Sequence, residues 1–285
     1  MRLMMVKTPD GDVLGVVGDE EVVLIPGRSL QDVAGAGPDA LAVLADESRT
    51  APAAARRPLA QATPALPIAR PGKFLCMGLN FTDHAKEGGF PIPDYPALFV
   101  RVTSSLIAAQ EPLVRPLASH TFDYEAELVI VIGKGGRHIA ESEALDAVFG
   151  YTIFNDASVR AYQRKSNQWT AGKNFDGTGP LGPVVVTRDE LPAGAHGLAI
   201  RSILNGTVLQ DGNTADMIFS VARAVSIISE ITTLEPGDLI AMGTPAGVGY
   251  PRTPPIFLKP GDECVIEIEG IGRLVNPVVD ETPRA

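Results

Sequence analysis

The chain has 285 residues, a formal net charge of −10 and 45% hydrophobic residues, the composition of a globular protein with one large domain or two unequal ones. The acidity argues against a nucleic-acid binder, which carries a basic stripe, and against an anionic membrane surface as partner. No apolar run reaches transmembrane length, residues 1–7 lack a signal-peptide apolar core, and Cys76 and Cys264 form no C-x-x-C pair, so a reduced, cytoplasmic protein is expected.

Near the start, Asp10-Gly11-Asp12 is a hairpin signal between apolar runs 3–6 and 13–17, and 22–25 reads as a third strand. Residues 29–45 read as one helix, with Leu30, Val33, Leu41, Val43 and Leu44 as its apolar positions. Residues 48–72 are rich in Ala, Pro and Arg and read as a connection. The expected division is therefore a small β-rich N-terminal domain with its linker, 1–70, and a second domain, 71–285.

In the second domain strands are expected at about 74–77, 97–100, 125–132, 151–154, 182–187, 199–204, 239–242, 264–268 and 273–278. Asn205-Gly206 marks a hairpin turn into 207–210. Met217, Val221, Ala224, Ile228 and Ile231 keep the helical period, and Asn213 or Thr214 can cap that helix. Strands outnumber helices without regular βαβ alternation, which predicts an α+β, mostly β protein with mixed or antiparallel sheets.

The chemistry-bearing residues fall in five segments. In 78–89, His84 and Glu87 stand at i, i+3, where a carboxylate can orient an imidazole as a general base; a solvated helix face gives the same pattern. In 123–133, alternation places Asp123, Glu125 and Glu127 on one strand face ahead of an apolar run, a costly arrangement unless a divalent cation or solvent compensates it. Asp156 follows the strand 151–154 and suits either a third metal ligand or a helix N-cap over 158–168. Lys173 sits in a Gly/Pro-rich loop, placed to bind an oxyanion or merely exposed. Gly243-Thr244-Pro245-Ala246-Gly247-Val248-Gly249 lacks the Lys of a phosphate loop but can hold a carboxylate through its N–H groups and the Thr244 hydroxyl.

The order GLNFTDHAKE, DYEAELVIVIG, GYTIFNDASVRAYQ, GKNFDGTGPLGP, GTPAGVG resembles the fumarylacetoacetate hydrolase family over about residues 73–280. The resemblance implies a mixed β-sandwich roll that dimerises, often behind a small N-terminal domain. It implies that Glu125, Glu127 and Asp156 ligate a divalent cation, usually Mg²⁺ and sometimes Mn²⁺ or Ca²⁺. His84 and Glu87 then match a catalytic dyad on a lid, with Lys173 as a third catalytic residue. Asn80, Arg160, Gln163 and Thr244 match substrate-binding positions.

The implied reaction is hydrolysis of a C–C bond in an acylpyruvate, a 2,4-dioxo acid such as fumarylpyruvate. The alternatives are isomerisation of a 2-hydroxyhepta-2,4-diene-1,7-dioate type substrate or decarboxylation of oxaloacetate on the same site. A non-catalytic metal-binding protein would need no His84–Glu87 pair. The substrate is expected to be a small anionic 2-oxo acid, its distal group undefined, with Trp169, Arg164, Lys165 and residues 90–95 beside it. Two positions depart from the family: Phe81 replaces a frequent Tyr, and Thr178-Gly179 replaces Phe-Cys or Phe-Ala. Both are expected to line the pocket.

Overall fold

A computed structural model describes residues 1–89 and 91–283, so Phe90, expected near the substrate, lies outside the described residues. The first strands are β1 (Arg2–Thr8), β2 (Gly11–Val17) and β3 (Glu21–Ile25). The single helix expected over 29–45 is two helices, α1 (Leu30–Gly35) and α2 (Pro38–Thr50). Gly37 takes a φ of 80° between them, and Pro38 opens the second helix, where a missing N–H breaks no helical bond. β4 (Arg56–Pro58) pairs with β3.

There follow β5 (Phe74–Gly78), α3 (Thr82–Glu87), β6 (Ala97–Val100), β7 (Leu106–Ala108), β8 (Leu113–Arg115), β9 (Phe122–Asp123), β10 (Ala126–Ile132) and β11 (Val148–Asn155). Next come β12 (Ser158–Val159), α4 (Arg160–Gln163), α5 (Thr170–Lys173), β13 (Gly179–Leu181), β14 (Val184–Thr187), β15 (Ala199–Leu204) and β16 (Thr207–Asn213). α6 (Val221–Ile231), β17 (Leu239–Ala241), β18 (Glu263–Ile268) and β19 (Gly272–Asp280) complete the chain.

Twelve strands form one mixed sheet along β4-β3-β2-β1-β14-β11-β10-β17-β5-β6, with β13 and β7 attached at β11. A five-stranded sheet, β16-β15-β18-β19-β8, packs across β10 and β11. The antiparallel pairing of β1 with β14 makes the N-terminal strands an extension of the large sheet.

β10 is buried along its whole length because both its faces are covered. Leu128, Ile130 and Ile132 pack with Ile200, Ile266 and Ile268 of the smaller sheet, while Val129 and Val131 pack with Phe74, Leu239 and Ala241. A strand buried on both faces reads as an unbroken apolar run. Burying five such side chains contributes roughly 10 kcal/mol gross, which anchors the acidic residues at the strand's start.

Two expected helices are shorter than their patterns. The stretch 158–168 is helical only over α4, because Ser158 and Val159 pair with β9 instead. α6 starts at Val221 under a Ser220 cap, whose side chain accepts the Arg223 N–H; Asn213 caps a separate turn at Thr214–Asp216. Cys76 and Cys264 are free and buried. No helix among the described residues is long and apolar enough to cross a membrane.

Candidate active site

The antiparallel register sets Ala126 opposite Asn155, so the start of β10 and the end of β11 deliver their acids to one place. The Asn155 side chain accepts the Glu125 N–H at 3.0 Å, and the Glu125 carbonyl accepts the Asp156 N–H at 3.0 Å. One carboxylate oxygen from each of Glu125, Glu127 and Asp156 then lies within 4.8 Å of the other two, and all three residues are buried. Asp156 therefore caps no helix.

Asp123, expected on the same face, is turned away. β9 stops at Asp123 and β10 starts at Ala126, and the break aims the carboxylate elsewhere. It accepts from Arg160 Nε at 2.8 Å and from the N–H groups of Gly249 at 2.8 Å and Tyr250 at 3.0 Å.

Four buried carboxylates so close together need cations. Lys173 Nζ lies 2.7 Å from Glu125 and 2.5 Å from Asp156. Arg160 Nη1 lies 2.6 Å from Glu125. Arg101, which sequence reasoning missed, donates from Nε to Asp156 at 2.8 Å and from Nη2 to the Ala157 carbonyl at 2.7 Å. Its only sequence signal is one charge inside the apolar stretch Phe99-Val100-Arg101-Val102.

Glu127 has no basic partner within 4.0 Å among the described residues and accepts only the Gly243 N–H, at 3.0 Å. Burial opposes ionisation of Glu125, but Lys173 and Arg160 outweigh it and hold its pKa at about 2. Burial, and then the Asp156 and Glu125 charges, drive Glu127 well above the carboxylate range. Burial also opposes the charge on Lys173, yet Asp156 and Glu125 keep its pKa above the ordinary lysine value.

One carboxylate thus lacks a counter-charge beside two others that point with it. An all-oxygen set of this kind fits a hard divalent cation. Ligand oxygens on one ion lie at most about 4.2 Å apart for Mg²⁺ and about 5 Å for Ca²⁺.

The triad forms the floor of a cavity of about 720 Å³ that His84, Gln163, Trp169 and Thr244 also line. Thr244 presents a hydroxyl that accepts Gln210 Nε2 at 2.7 Å. Lys173 reaches the floor because α5 packs tightly on α4: a Cβ at Gly172 would meet the Gln163 backbone at 2.5 Å. His84 Nδ1 lies 3.3 Å from Glu87 Oε2. The Glu87 Oε1 and Asp83 carboxylate oxygens accept the N–H groups of Gly247 at 3.0 Å and Ala246 at 3.2 Å, which fastens α3 to the glycine-rich turn.

Four expected pocket residues lie elsewhere. Asn80 gives its amide to the backbone, donating to Phe219 and Met242 carbonyls and accepting the Phe219 N–H at 2.7 Å, so it braces the turn before Gly243 and does not line the cavity. Phe81 is buried in the core. Thr178 takes Arg101 Nη1 at 3.1 Å behind the floor, and neither it nor Gly179 lines the cavity.

Residues 73–279 match the family profile described as fumarylacetoacetate (FAA) hydrolase, C-terminal. The chain belongs to the fumarylacetoacetate hydrolase family. It is 43% identical over 236 residues to the human mitochondrial oxaloacetate tautomerase FAHD2A, covering 79% of this chain and 75% of that protein. It shares a fold with the fumarylacetoacetate hydrolase of Exiguobacterium antarcticum, at 33% identity and a TM-score of 0.86 over 99% of this chain and 100% of that one. The maleylpyruvate hydrolase of Sphingobium sp. SYK-6, solved with manganese(II) and pyruvate, gives 28% identity and a TM-score of 0.82 over 99% and 100%. The expected family and its mixed β-sandwich roll are thus established.

Two predictions arise from the geometry of this site. The first concerns pH. Glu127 must ionise to ligate a metal, and its pKa in the metal-free protein is raised, chiefly by burial. Below the usual carboxylate range the neutral carboxyl contributes stability to the metal-free fold; that stability is lost as pH rises through the raised value. Metal binding runs against this proton. Affinity for Mg²⁺ or Mn²⁺ should climb by up to about tenfold per pH unit until Glu127 ionises, with proton release on binding. Titration calorimetry in buffers of different ionisation enthalpy measures both, and a pH-independent affinity would contradict it.

The second concerns Gly78, where a Cβ would stand 2.0 Å from the Trp169 ring. Gly78→Ala should push the indole out of place at a cost of about 1–3 kcal/mol. Trp169 is the only tryptophan, so its emission reports the move directly. An unchanged spectrum would contradict the packing described.

Proposed function

We propose that this protein is a metal-dependent isomerase that interconverts the keto and enol forms of a small 2-oxo dicarboxylate, with oxaloacetate as the first candidate. The observation that carries this reading is the buried Glu125, Glu127 and Asp156 set joined to Lys173 and Arg160 on one pocket floor. Its kinship with an oxaloacetate tautomerase supports the choice of substrate. The expected order of reactions is therefore reversed: isomerisation comes first and acylpyruvate hydrolysis second. Mg²⁺ is the proposed ion, with Mn²⁺ or Ca²⁺ as substitutes. The proposal includes a cytoplasmic homodimer without nucleic-acid or membrane partners, although the human relative is named as mitochondrial.

Bound by the three carboxylates, the cation supplies Lewis-acid polarisation of the 2-oxo group. The protein's own groups do the rest. Lys173 keeps a full positive charge beside the oxygen on which negative charge develops. Arg160 is buried, lines the cavity and leaves Nη2 without a hydrogen-bond partner, a donor free for a substrate carboxylate. With its Nδ1–H given to Glu87, His84 carries its lone pair on Nε2. Nε2 takes the proton from C3; the C–H pair becomes the C2–C3 double bond, the carbonyl π pair moves onto the C2 oxygen, and that oxygen takes a proton from water. His84 returns its own proton to water, so the sum is isomerisation.

The test follows the enol absorbance of freshly dissolved oxaloacetate. Protein with Mg²⁺ should speed its approach to equilibrium, and EDTA should abolish the effect. No acceleration with either Mg²⁺ or Mn²⁺ would refute the proposal. The His84–Glu87 pair also serves the second reading, in which Nε2 deprotonates a water that attacks the distal acyl carbon and pyruvate departs as its enolate. Pyruvate release from acetylpyruvate would establish it.

A further inference from the structure

The pocket holds a second arginine that the proposed reaction leaves unused. Arg164 caps the C-terminal end of α4, four residues after Arg160, and both arginines line the same cavity. Arg160 is buried at the floor, whereas Arg164 is exposed at the mouth of the same cavity. The chain has 34 acidic against 24 basic residues, yet among the described residues no carboxylate lies within 4.0 Å of Arg164.

What holds Arg164 is Tyr250. Its guanidinium carbon lies 4.0 Å from the Tyr250 ring centroid, and Nη1 donates to the Tyr250 hydroxyl at 2.5 Å. Tyr250 is itself fixed, because its N–H donates to Asp123, the carboxylate that also takes Arg160 Nε. Asp123 thereby keeps the mouth in register with the floor. A guanidinium stacked on an aromatic ring still offers its outer N–H groups to a carboxylate, with less freedom to lose on binding. Lys165, its neighbour, instead places its ammonium over Tyr162 at 3.7 Å and does not line the cavity.

We infer that Arg164, stacked on Tyr250, is the specificity-determining residue that receives the second carboxylate, so that the pocket selects 2-oxo dicarboxylates over 2-oxo monocarboxylates. The inference rests on the reading above only in placing the 2-oxo end at the triad.

Trp169 lines the cavity and is the only tryptophan, so quenching of its emission reads binding without turnover. The Mg²⁺-loaded protein is titrated with oxaloacetate and with 2-oxobutanoate, which carries a methyl group in place of the distal carboxylate. Wild type should prefer oxaloacetate. Arg164→Gln should weaken oxaloacetate binding by about tenfold to hundredfold, the worth of a charge-assisted hydrogen bond. It should weaken 2-oxobutanoate by less than about threefold, since only screened surface charge changes for that ligand. Arg164→Lys should recover part of the preference, and neither exchange should move the melting temperature, because the side chain is exposed.

An equal loss for both ligands, an unchanged preference, or a wild type that binds neither ligand or does not discriminate overturns the inference. If the Arg164-dependent preference holds while the enol absorbance does not respond, the inference stands and the isomerase reading falls.

Discussion

Glu127→Gln and Asp156→Asn should both eliminate metal binding, yet shift the stability of the metal-free protein in opposite directions. Asp156 is fully buried and faces two buried cations, Arg101 at 2.7 Å and Lys173 at 2.5 Å. Removing its charge leaves the buried Arg101 guanidinium without a carboxylate partner and Lys173 with Glu125 alone, which costs about 3–5 kcal/mol. Glu127 is the reverse case. It has no basic partner within 4.0 Å among the described residues, and its pKa is driven up first by burial and then by Asp156 and Glu125. A glutamine keeps an oxygen for the Gly243 N–H and removes the repulsion.

The metal-free Glu127→Gln protein should therefore melt a few degrees higher than wild type, about 2–4 °C per kcal/mol gained at this size. In wild type, saturating cation should add stability, about 2.7 kcal/mol at one hundred times its dissociation constant. Both variants should lose that increment. Thermal melts with EDTA, Mg²⁺ and Mn²⁺ read both effects together. A Glu127→Gln protein destabilised as much as Asp156→Asn would mean that the Glu127 charge is already compensated, and the cation site would lose its physical basis.

The contrast between these two acids also shows what sequence pattern can and cannot carry. The run from Glu125 to Gly133 displays its burial on both faces and its acidic start directly, because strand alternation is local. The order of the five motifs carries the family, and with it Asp156, His84, Glu87 and Lys173. Arg101 stays hidden, since its value lies in reaching Asp156 from 55 residues away, and a lone arginine after a strand ordinarily faces water. Asp123 reads as structural rather than as a ligand, and the reason is related. Period-two alternation holds only within one strand, and the chain breaks between β9 and β10. Asn80 sits in the right motif but spends its amide on backbone groups of Phe219 and Met242, partners that only the tertiary fold supplies. The Gly37-Pro38 interruption is local, yet the apolar period continues on both sides of it and masks the break.

His84→Ala should lower kcat for oxaloacetate isomerisation by about 10²–10⁴, the range for removing a positioned general base, while the metal-dependent rise in melting temperature stays intact. The separation follows from position. His84 lies on α3, which is hydrogen-bonded to the glycine-rich turn, and among the described residues it makes no hydrogen bond to Glu125, Glu127 or Asp156. Glu87→Gln should fall between wild type and His84→Ala, because Glu87 has two tasks. One oxygen orients Nδ1 of His84 and the other accepts the Gly247 N–H; an amide retains one acceptor for the second task but loses the carboxylate that orients the imidazole. Added imidazole should restore part of the activity of His84→Ala, since the histidine lines an open cavity that a small base can enter. Turnover unchanged in His84→Ala would move the base to another residue. Loss of the metal-dependent stabilisation in that variant would show that α3 helps to build the floor as well as to cover it.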